Sequence, residues 1–539
     1  MTKKITLFNK FHILQRTFYL FLIVSVTLLT VFIVDYWVSK YIEREINDRI
    51  TLLNGRAESI KVTLLSRTLK VKSLEWASTT DSSNLRQHSL RVKTLTAKGI
   101  SLYELFARNT VVFNQVTIDS GKFQFDRSSK SIFPKQGDLA APTFKFKSIL
   151  LKSIESQITL DSVVSFYALL NCKLQDVSIA KKVASKIDYG VKSIEGQVTN
   201  ISISRHQGMY GLTIGNIGFN TETGLITIDS TLVIPNFTKF EFAKQPDGKP
   251  GRLNLSIPQV TITGIDFSRL ADTTWVASKI EIKSFDLYYF KDKRFTTIPK
   301  KNKPLPMVAF LNLPYTIKVD SITVHNSHVV YEEFPKTGIE SGTISIDAIN
   351  AVFTDFNNRI EKGDPTFATL QTNALLMNSG RINATFQFPL DGSPAYHAKG
   401  SVSEMSFDQL NPILKSVADV RVESGYLNTL TFNYTYTDLA SKGLLEVDYK
   451  DLYVTILNKN KESTNQVKTL VANTFVKSKI DQTHTAVRRS AVIDIERDRT
   501  KSIFNIWTKS LLDGLKRSML GGFVKKDKKK RSDEIRKKD

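Results

Sequence analysis

Residues 257–289 read IPQVTITGIDFSRLADTTWVASKIEIKSFDLYY, and this stretch decides the fold. Val260 and Ile262 alternate with threonine, and Ile280 and Ile282 alternate with Glu281 and Lys283. A period of two marks strands with one apolar and one wet face. Between these strands stand Gly264-Ile265 and a one-turn excursion ending at Leu270. Residues 92–125, VKTLTAKGISLYELFARNTVVFNQVTIDSGKFQF, repeat the plan with Gly99-Ile100, Leu105 and Val116-x-Ile118. Its second half recurs at Val319-x-x-Ile322-x-Val324 and Phe146-x-x-Ile149-x-Leu151. Two residues after the last apolar position of each stands Ser or Asn: Ser120, Ser284, Asn326 and Ser153. Repeated strand units stacked on neighbours indicate an elongated β-array.

The alternation extends outward. Ile226, Ile228, Leu232 and Ile234 share one phase, as do Ile382, Ala384, Phe386 and Phe388, and Leu430, Phe432, Tyr434 and Tyr436. Around Pro258 the apolar parity switches, which reads as a bulge or a strand end, and Pro235 reads as a strand terminus. A polar stretch at 128–143 is expected to loop, and the basic, proline-rich KDKRFTTIPKKNKPLP at 291–306 is the best boundary. A short helix is expected over Phe407–Val417. The chain therefore divides into a basic flank and anchor (1–38), a first β region (39–300), a second β region (301–500) and a C-terminal helix with a basic tail (501–539). The fold class is mostly β, with antiparallel strands.

Composition narrows the function. The single cysteine, Cys172, excludes an intramolecular disulfide and a thiolate metal cluster. A net charge of +23 first suggests nucleic acid, but most Lys and Arg are scattered singly along strands, without aromatic platforms. An anionic lipid surface is a partner of the same sign, so no nucleic acid is expected.

Thr17 to Val34, TFYLFLIVSVTLLTVFIV, carries no charge and, extended through Trp37, is long enough to cross a bilayer. No small-x-small cleavage site follows it, which favours an uncleaved anchor over a signal peptide. Lys3, Lys4, Lys10 and Arg16 precede it without an acid among them. The positive-inside rule then keeps the N-terminus in the cytoplasm and exports the body, which in a diderm bacterium means a single-pass inner-membrane protein with a periplasmic body. Residues 40–53 continue as an amphipathic helix on Ile42, Ile46, Ile50 and Leu53.

Motifs for catalysis are few, and the chain is expected to be no enzyme and to need no cofactor or metal. Gly248-Lys249-Pro250-Gly251 is a turn and not a phosphate loop. His325 and His328 stand three apart, which sends strand side chains to opposite faces. The adjacent Glu332 and Glu333 read as a solvated edge, and Cys172 as a core thiol. At the C-terminus, Ile503, Trp507, Leu511, Leu515 and Met519 form a helical stripe flanked by Phe504 and Leu512. With Lys525 and Lys526 following, Trp507, Leu511 and Leu515 are candidates for a membrane interface that docks on a second membrane or an envelope protein. A helix capping the open end of the array is the alternative.

Four stretches together carry a family resemblance: the Gly-Ile strand unit, LYYFKDKR at 287–294, IKVDSITVHNSHVVYEE at 317–333, and residues 407–457 with Ser424-Gly425, TFNYTYT, Gly443 and DLYVTIL. With the closing IWTKSLLDGLKRSM, they resemble the AsmA-like bacterial envelope proteins, particularly those of Bacteroidota. The resemblance implies an inner-membrane anchor, an extended, curled β-sheet groove and kinship with repeating β-groove, bridge-like lipid transfer proteins. It brings no catalytic residues. A groove with an apolar interior can let acyl chains cover its face, at about 0.8 kcal/mol per CH₂ kept from water. The expected function is handling or transfer of a phospholipid or similar amphiphile in envelope biogenesis. A scaffold or assembly role for outer-membrane proteins, by strand addition, is the alternative. Val116, Ile118, Ile262, Ile280, Ile282, Ile322 and Val324 are the groove candidates, expected to share one apolar interior.

Overall fold

The computed structural model describes residues 2–52, 55–77, 89–101, 104, 110–126, 143–160, 163–181, 187–204, 208–245, 251–295, 302–457 and 487–519. Leu105, most of the 128–143 stretch, Gly248–Pro250, Lys525 and Lys526 lie outside them. The chain is mostly β and forms two compact units, Met1–Ser202 and Ile203–Asp539. The 291–306 stretch expected as a boundary begins in the last residues of a strand and falls inside the second unit.

The first unit opens with helix α1 (Thr2–Leu52). From Ser25 to Thr51 it is long and apolar enough to cross a membrane. Its apolar side chains stand outside any core: Leu29, Phe32 and Trp37 are all more than half exposed. That is compatible with a single-pass membrane anchor, and a signal sequence has the same length and composition. Strands β1 (Gly55–Arg56), β2 (Ser59–Thr63), β3 (Thr68–Ala77), β4 (Ser89–Lys98), β5 (Thr110–Asp126), β6 (Thr143–Leu160), β7 (Val163–Lys181), β8 (Ile187–Gly190) and β9 (Ser193–Ser204) follow. The second unit holds β10 (Tyr210–Asn220), β11 (Leu225–Pro235), β12 (Gly251–Thr263), β13 (Thr274–Asp292), β14 (Thr316–Phe334), β15 (Gly342–Asn357), β16 (Phe367–Leu376), β17 (Gly380–Pro389), β18 (Tyr396–Ser406), β19 (Val420–Tyr436), β20 (Ala440–Ile456) and β21 (Val487–Glu496). Its helices are α2 (Lys239–Phe242), α3 (Pro306–Leu311), α4 (Asn411–Ala418) and α5 (Ile503–Met519). From β10 to β21 each strand pairs with the next, and the sheet stays open.

Among the strand pairs whose register is described, pairing is antiparallel except at β5–β6 and β13–β14, which run parallel. A parallel pair needs a crossover of roughly a dozen residues or more, and both connections have that length. In the second unit the crossover carries α3, with Pro306 in its first turn and Leu305, Met307 and Phe310 buried.

The two exceptions mark one module used twice. In the first copy the Gly99 amide bonds the Arg67 carbonyl of the preceding hairpin (2.9 Å), and in the second the Ile265 amide bonds Gly224 (3.0 Å). The Ser101 amide bonds Val112 and, correspondingly, the Asp266 amide bonds Val276. Gly99 and Gly264 both have φ of +68°, which explains the glycine in each copy.

The serines and asparagines that close the repeat have a backbone role. Ser120, Ser153 and Asn326 have left-handed φ of 55°, 52° and 39°. At Ser153 and Asn326 the ladder register shifts, as it does beside Ser284 and Pro258. Pro258 thus marks a bulge inside β12, while Pro235 ends β11. Ser73, Ser230 and Ala348 take the same conformation at the equivalent place in β3, β11 and β15. Each extra residue switches strand parity, so apolar positions on either side of the bulge stay on one face. The switch overturns one expected phase: Ile226 and Ile228 share a face, but beyond Ser230 it is Val233, paired with Leu255, that continues it, and Ile234 is 46 % exposed.

The packed core lies in the second unit, over β16–β21. Phe388, Ala398, Tyr434, Tyr436, Leu445 and Tyr449 are buried there under α3, α4 and α5. The 3-10 turn Phe407–Leu410 and α4 supply the short helical interruption expected at 407–417.

Candidate functional site

Across β10–β15 the same sheet face is built differently. Cross-strand partners point to the same side. One row runs Ile226, Ile262, Ile280, Ile322, Phe353 and Leu370, and beside it runs Ile228, Val260, Ile282, Val324 and Ala351. On the opposite side the intervening row is Thr227, Thr261, Glu281 and Thr323. The sheet is therefore amphipathic, yet Ile262, Ile280, Ile282, Ile322 and Val324 are only half-buried. The second row continues through Thr372, Ala384 and Gly400 to Phe432, and these small residues line a cavity of about 570 Å³. Leu370 pairs with Phe386, where Trp507 of α5 lies flat on the ring with centroids 4.3 Å apart. From β10 to β17 the strip crosses eight strands, or roughly 34 Å at ~4.8 Å per step.

The seven groove candidates fall into two sets. Val116 and Ile118 belong to the first unit, where Ile118 stands between Leu95 and Leu151, and Val116 between Ala97 and Ile149. Cys172 extends that row beside Leu151, and burial pushes its thiol pKa up. Ile262, Ile280, Ile282, Ile322 and Val324 form the strip of the second unit. Each set shares a face within its own unit.

Three expectations are corrected. Trp507, Leu511 and Leu515, expected at a membrane interface, pack against the core. The face of α5 nearest the sheet is Ile503, Ile506, Ser510, Gly514 and Ser518, all buried, and the small residues let the helix approach closely. A Cβ on Gly514 would stand 2.8 Å from Leu445, and the Ser510 hydroxyl donates to that of Ser441 at 2.8 Å. Phe504 and Leu512 are left outward. Second, Glu332 and Glu333 are buried and held. Glu332 accepts from Lys239 (2.8 Å), Ser341 (2.6 Å) and the Tyr288 hydroxyl, while Glu333 accepts from the Tyr331 hydroxyl and meets Lys293. Third, the bulge at Asn326 puts His325 and His328 on the same polar face, where they pair with different acids, Glu281 and Asp347. Among the described residues no group of three or more His, Cys, Asp or Glu converges as metal ligands do.

No family model matches the chain, and no curated protein does either.

Proposed function

We propose that the chain is a membrane-anchored envelope protein that holds acyl chains of a phospholipid or similar amphiphile along its apolar sheet face and passes them on. The observation that carries this reading is the uncovered strip of the second unit. An apolar sheet face is ordinarily covered by another layer. This face is covered by helices over β16–β21, meets that core at Phe353 and Phe356 of β15, and is left half-open from β10 to β14. Acyl chains lying on Ile280, Ile282 and Ile322 would supply the missing layer, each buried CH₂ contributing about 0.8 kcal/mol. The likeness of the sequence to AsmA-like envelope proteins supports the same reading.

The anchor belongs to this function. Asp35 and Glu43 follow the uncharged stretch that ends at Val34, and their carboxylates accept the Leu65 and Val62 amides of the β2–β3 hairpin at 3.0 and 2.8 Å. Helix and sheet are thereby joined along the part of α1 beyond Val34. Cleavage directly behind the apolar stretch would take the Asp35 acceptor away, which favours an anchor that stays. The basic flank from Lys3 to Arg16 orients the body outward into the periplasm.

The test is a photo-crosslinking amino acid placed at Ile282 or Ile322 and, separately, at Thr323. Lipid captured in cells from the two isoleucine positions and not from Thr323 is the expected result. Equal capture from both faces, or none from either, would sink the proposal.

A further inference from the structure

The strip has a basic rim. Beyond its bulge, β13 carries Leu287, Tyr289 and Lys291 on alternate positions. Tyr289 stacks on Tyr331 of β14 at 6.0 Å, with planes 12° apart. One row further, Lys291 stands between Gly251 and Glu333. Along the strand the face thus changes from aliphatic to tyrosine to lysine, the polarity order of an amphiphile.

Lys291 has no counter-charge of its own. Glu333 is occupied by Lys293 at 2.5 Å and by the Tyr331 hydroxyl. The other acids of these segments are also engaged: Asp292 by Arg294 (2.7 Å), Glu332 by Lys239, Asp438 by Arg497 and Arg499, and Asp498 by the Thr500 amide and hydroxyl (3.0 and 2.6 Å). Among the described residues nothing hydrogen-bonds or ion-pairs with the Lys291 ammonium. Burial pushes its pKa below the usual lysine range; Glu333 opposes that, and Lys293, Lys501 and Lys303 push it further down. Lys303 and Lys501 are held in place by their backbones. The Lys303 amide donates to the Arg499 carbonyl (2.7 Å), and Arg497 donates to the carbonyls of Lys303 (2.8 Å) and Lys501 (3.5 Å). Lys293, Lys303 and Lys501 thus act on Lys291 with its own sign, the carboxylate paired with it across the strands, Glu333, is already engaged by Lys293, and Asp498 acts on Lys501. A half-buried cation without a partner is costly, and an arriving anion relieves that cost.

We propose that Lys291, Lys293, Lys303 and Lys501 form a head-group site that takes the anionic, phosphate-bearing head of an amphiphile whose chains lie on the adjoining apolar rows. The inference rests on the lipid-handling reading and adds the charge class of the cargo.

The experiment uses the full chain purified in a mild non-ionic detergent and three probes with the same acyl chains: phosphatidylglycerol, phosphatidylcholine and diacylglycerol, each fluorescently labelled on a chain. Wild type is expected to bind phosphatidylglycerol about tenfold more tightly than diacylglycerol, one well-placed charge-assisted contact being of that order. Lys291→Gln, and independently Lys303→Gln with Lys501→Gln, should bring phosphatidylglycerol down to the diacylglycerol affinity while leaving diacylglycerol unchanged. Equal binding of all three probes by wild type, or a preference that survives both sets of substitutions, would overturn the head-group site and leave the acyl strip standing. Failure to bind diacylglycerol at all would count against the strip itself. Displacement of bound phosphatidylglycerol by millimolar inorganic phosphate alone would show a free-anion site and overturn the proposal. An unchanged melting temperature in the glutamine variants shows that the loss is one of recognition.

Discussion

The indole of Trp507 lies on the ring of Phe386, centroids 4.3 Å apart and planes 24° from parallel. Phe386 follows Leu370 in the apolar row of the strip, so this stack is where open sheet becomes covered core. Helix α5 is accordingly a cap. Trp507→Ala should destabilise the protein by about 3 kcal/mol, the low end for a tryptophan truncation because the side chain is only half-buried. Truncation after residue 502 should lower the melting temperature further. A truncated chain that melts as the full one does, with a free 498–539 peptide that binds anionic vesicles, would restore the membrane-docking reading.

Gly264 is held by conformation and by contact. Its φ is +68°, and a Cβ there would stand 2.2 Å from Ser278 Oγ. Gly392 has φ of +81° with nothing within 4 Å of its Cβ position. Gly392→Ala should therefore cost only the left-handed backbone penalty, about 1 kcal/mol. Gly264→Ala should cost about 1–2 kcal/mol more, through the displaced serine. Chemical denaturation of both variants measures the difference. Equal costs would mean the Gly-Ile unit is needed for its turn alone.

Asp35 ties the anchor to the sheet through the Leu65 amide. Asp35→Ala should loosen the β2–β3 hairpin and speed tryptic cleavage at Lys61 and Arg67 by on the order of tenfold, the equivalent of ~1.5 kcal/mol for one hydrogen bond to a charged group. Topology is read separately, from reporters fused after Lys40 and after Asp539. Only reporters that need export should be active at either position. Cytoplasmic activity would reverse the orientation.

The strands and their faces were legible because a half-buried strand is almost the only structure that keeps apolar and polar residues alternating over several positions. The Ser or Asn two places beyond each apolar pair was read only as the end of the repeat and not as a bulge; at Pro258 alone a bulge was expected, with a strand end as the alternative. The same spacing from Val71, Ile228 and Ile346 to Ser73, Ser230 and Ala348 was there to be read. Other features depend on partners distant in sequence. Glu332 finds Lys239 across 93 positions, which no local pattern reveals. On α5, counting only large apolar residues put the contact face on Trp507 and Leu511, whereas Ser510, Gly514 and Ser518 set the close approach. The parallel pairs were hidden because a long connection does not state which direction the chain returns. Lys291, Lys293 and Lys303 were read only as part of a basic break and Lys501 as the start of the C-terminal helix, since the hydrogen bonds of Lys303 with Arg497 and Arg499 join segments far apart in sequence.

Asn326 gives the sharpest test of how the strip is built. It is the extra residue of the β14 bulge, at φ 39°, and its amide donates to Asn350 Oδ1 at 3.1 Å. It keeps Ile322 and Val324 on the same face as Val329 and Tyr331. Replacing it with glycine relieves a left-handed strain at some entropic cost, so Asn326→Gly should change stability by less than about 1 kcal/mol. Asn326→Val places a β-branched residue where φ is positive and should cost about 2 kcal/mol. Deleting Asn326 is a different kind of change. The neighbouring strands keep their own extra residues, so the deletion would put one half of β14 out of phase. Val329 and Tyr331 would turn to the wet side, and the buried Glu333 would lose its partners. The deletion should therefore cost more than about 5 kcal/mol, or prevent folding, as several core side chains are lost together. Thermal melts of the three variants order them. A deletion no worse than Asn326→Val would mean that β14 slips freely, and that bulge parity does not hold the strip on one face.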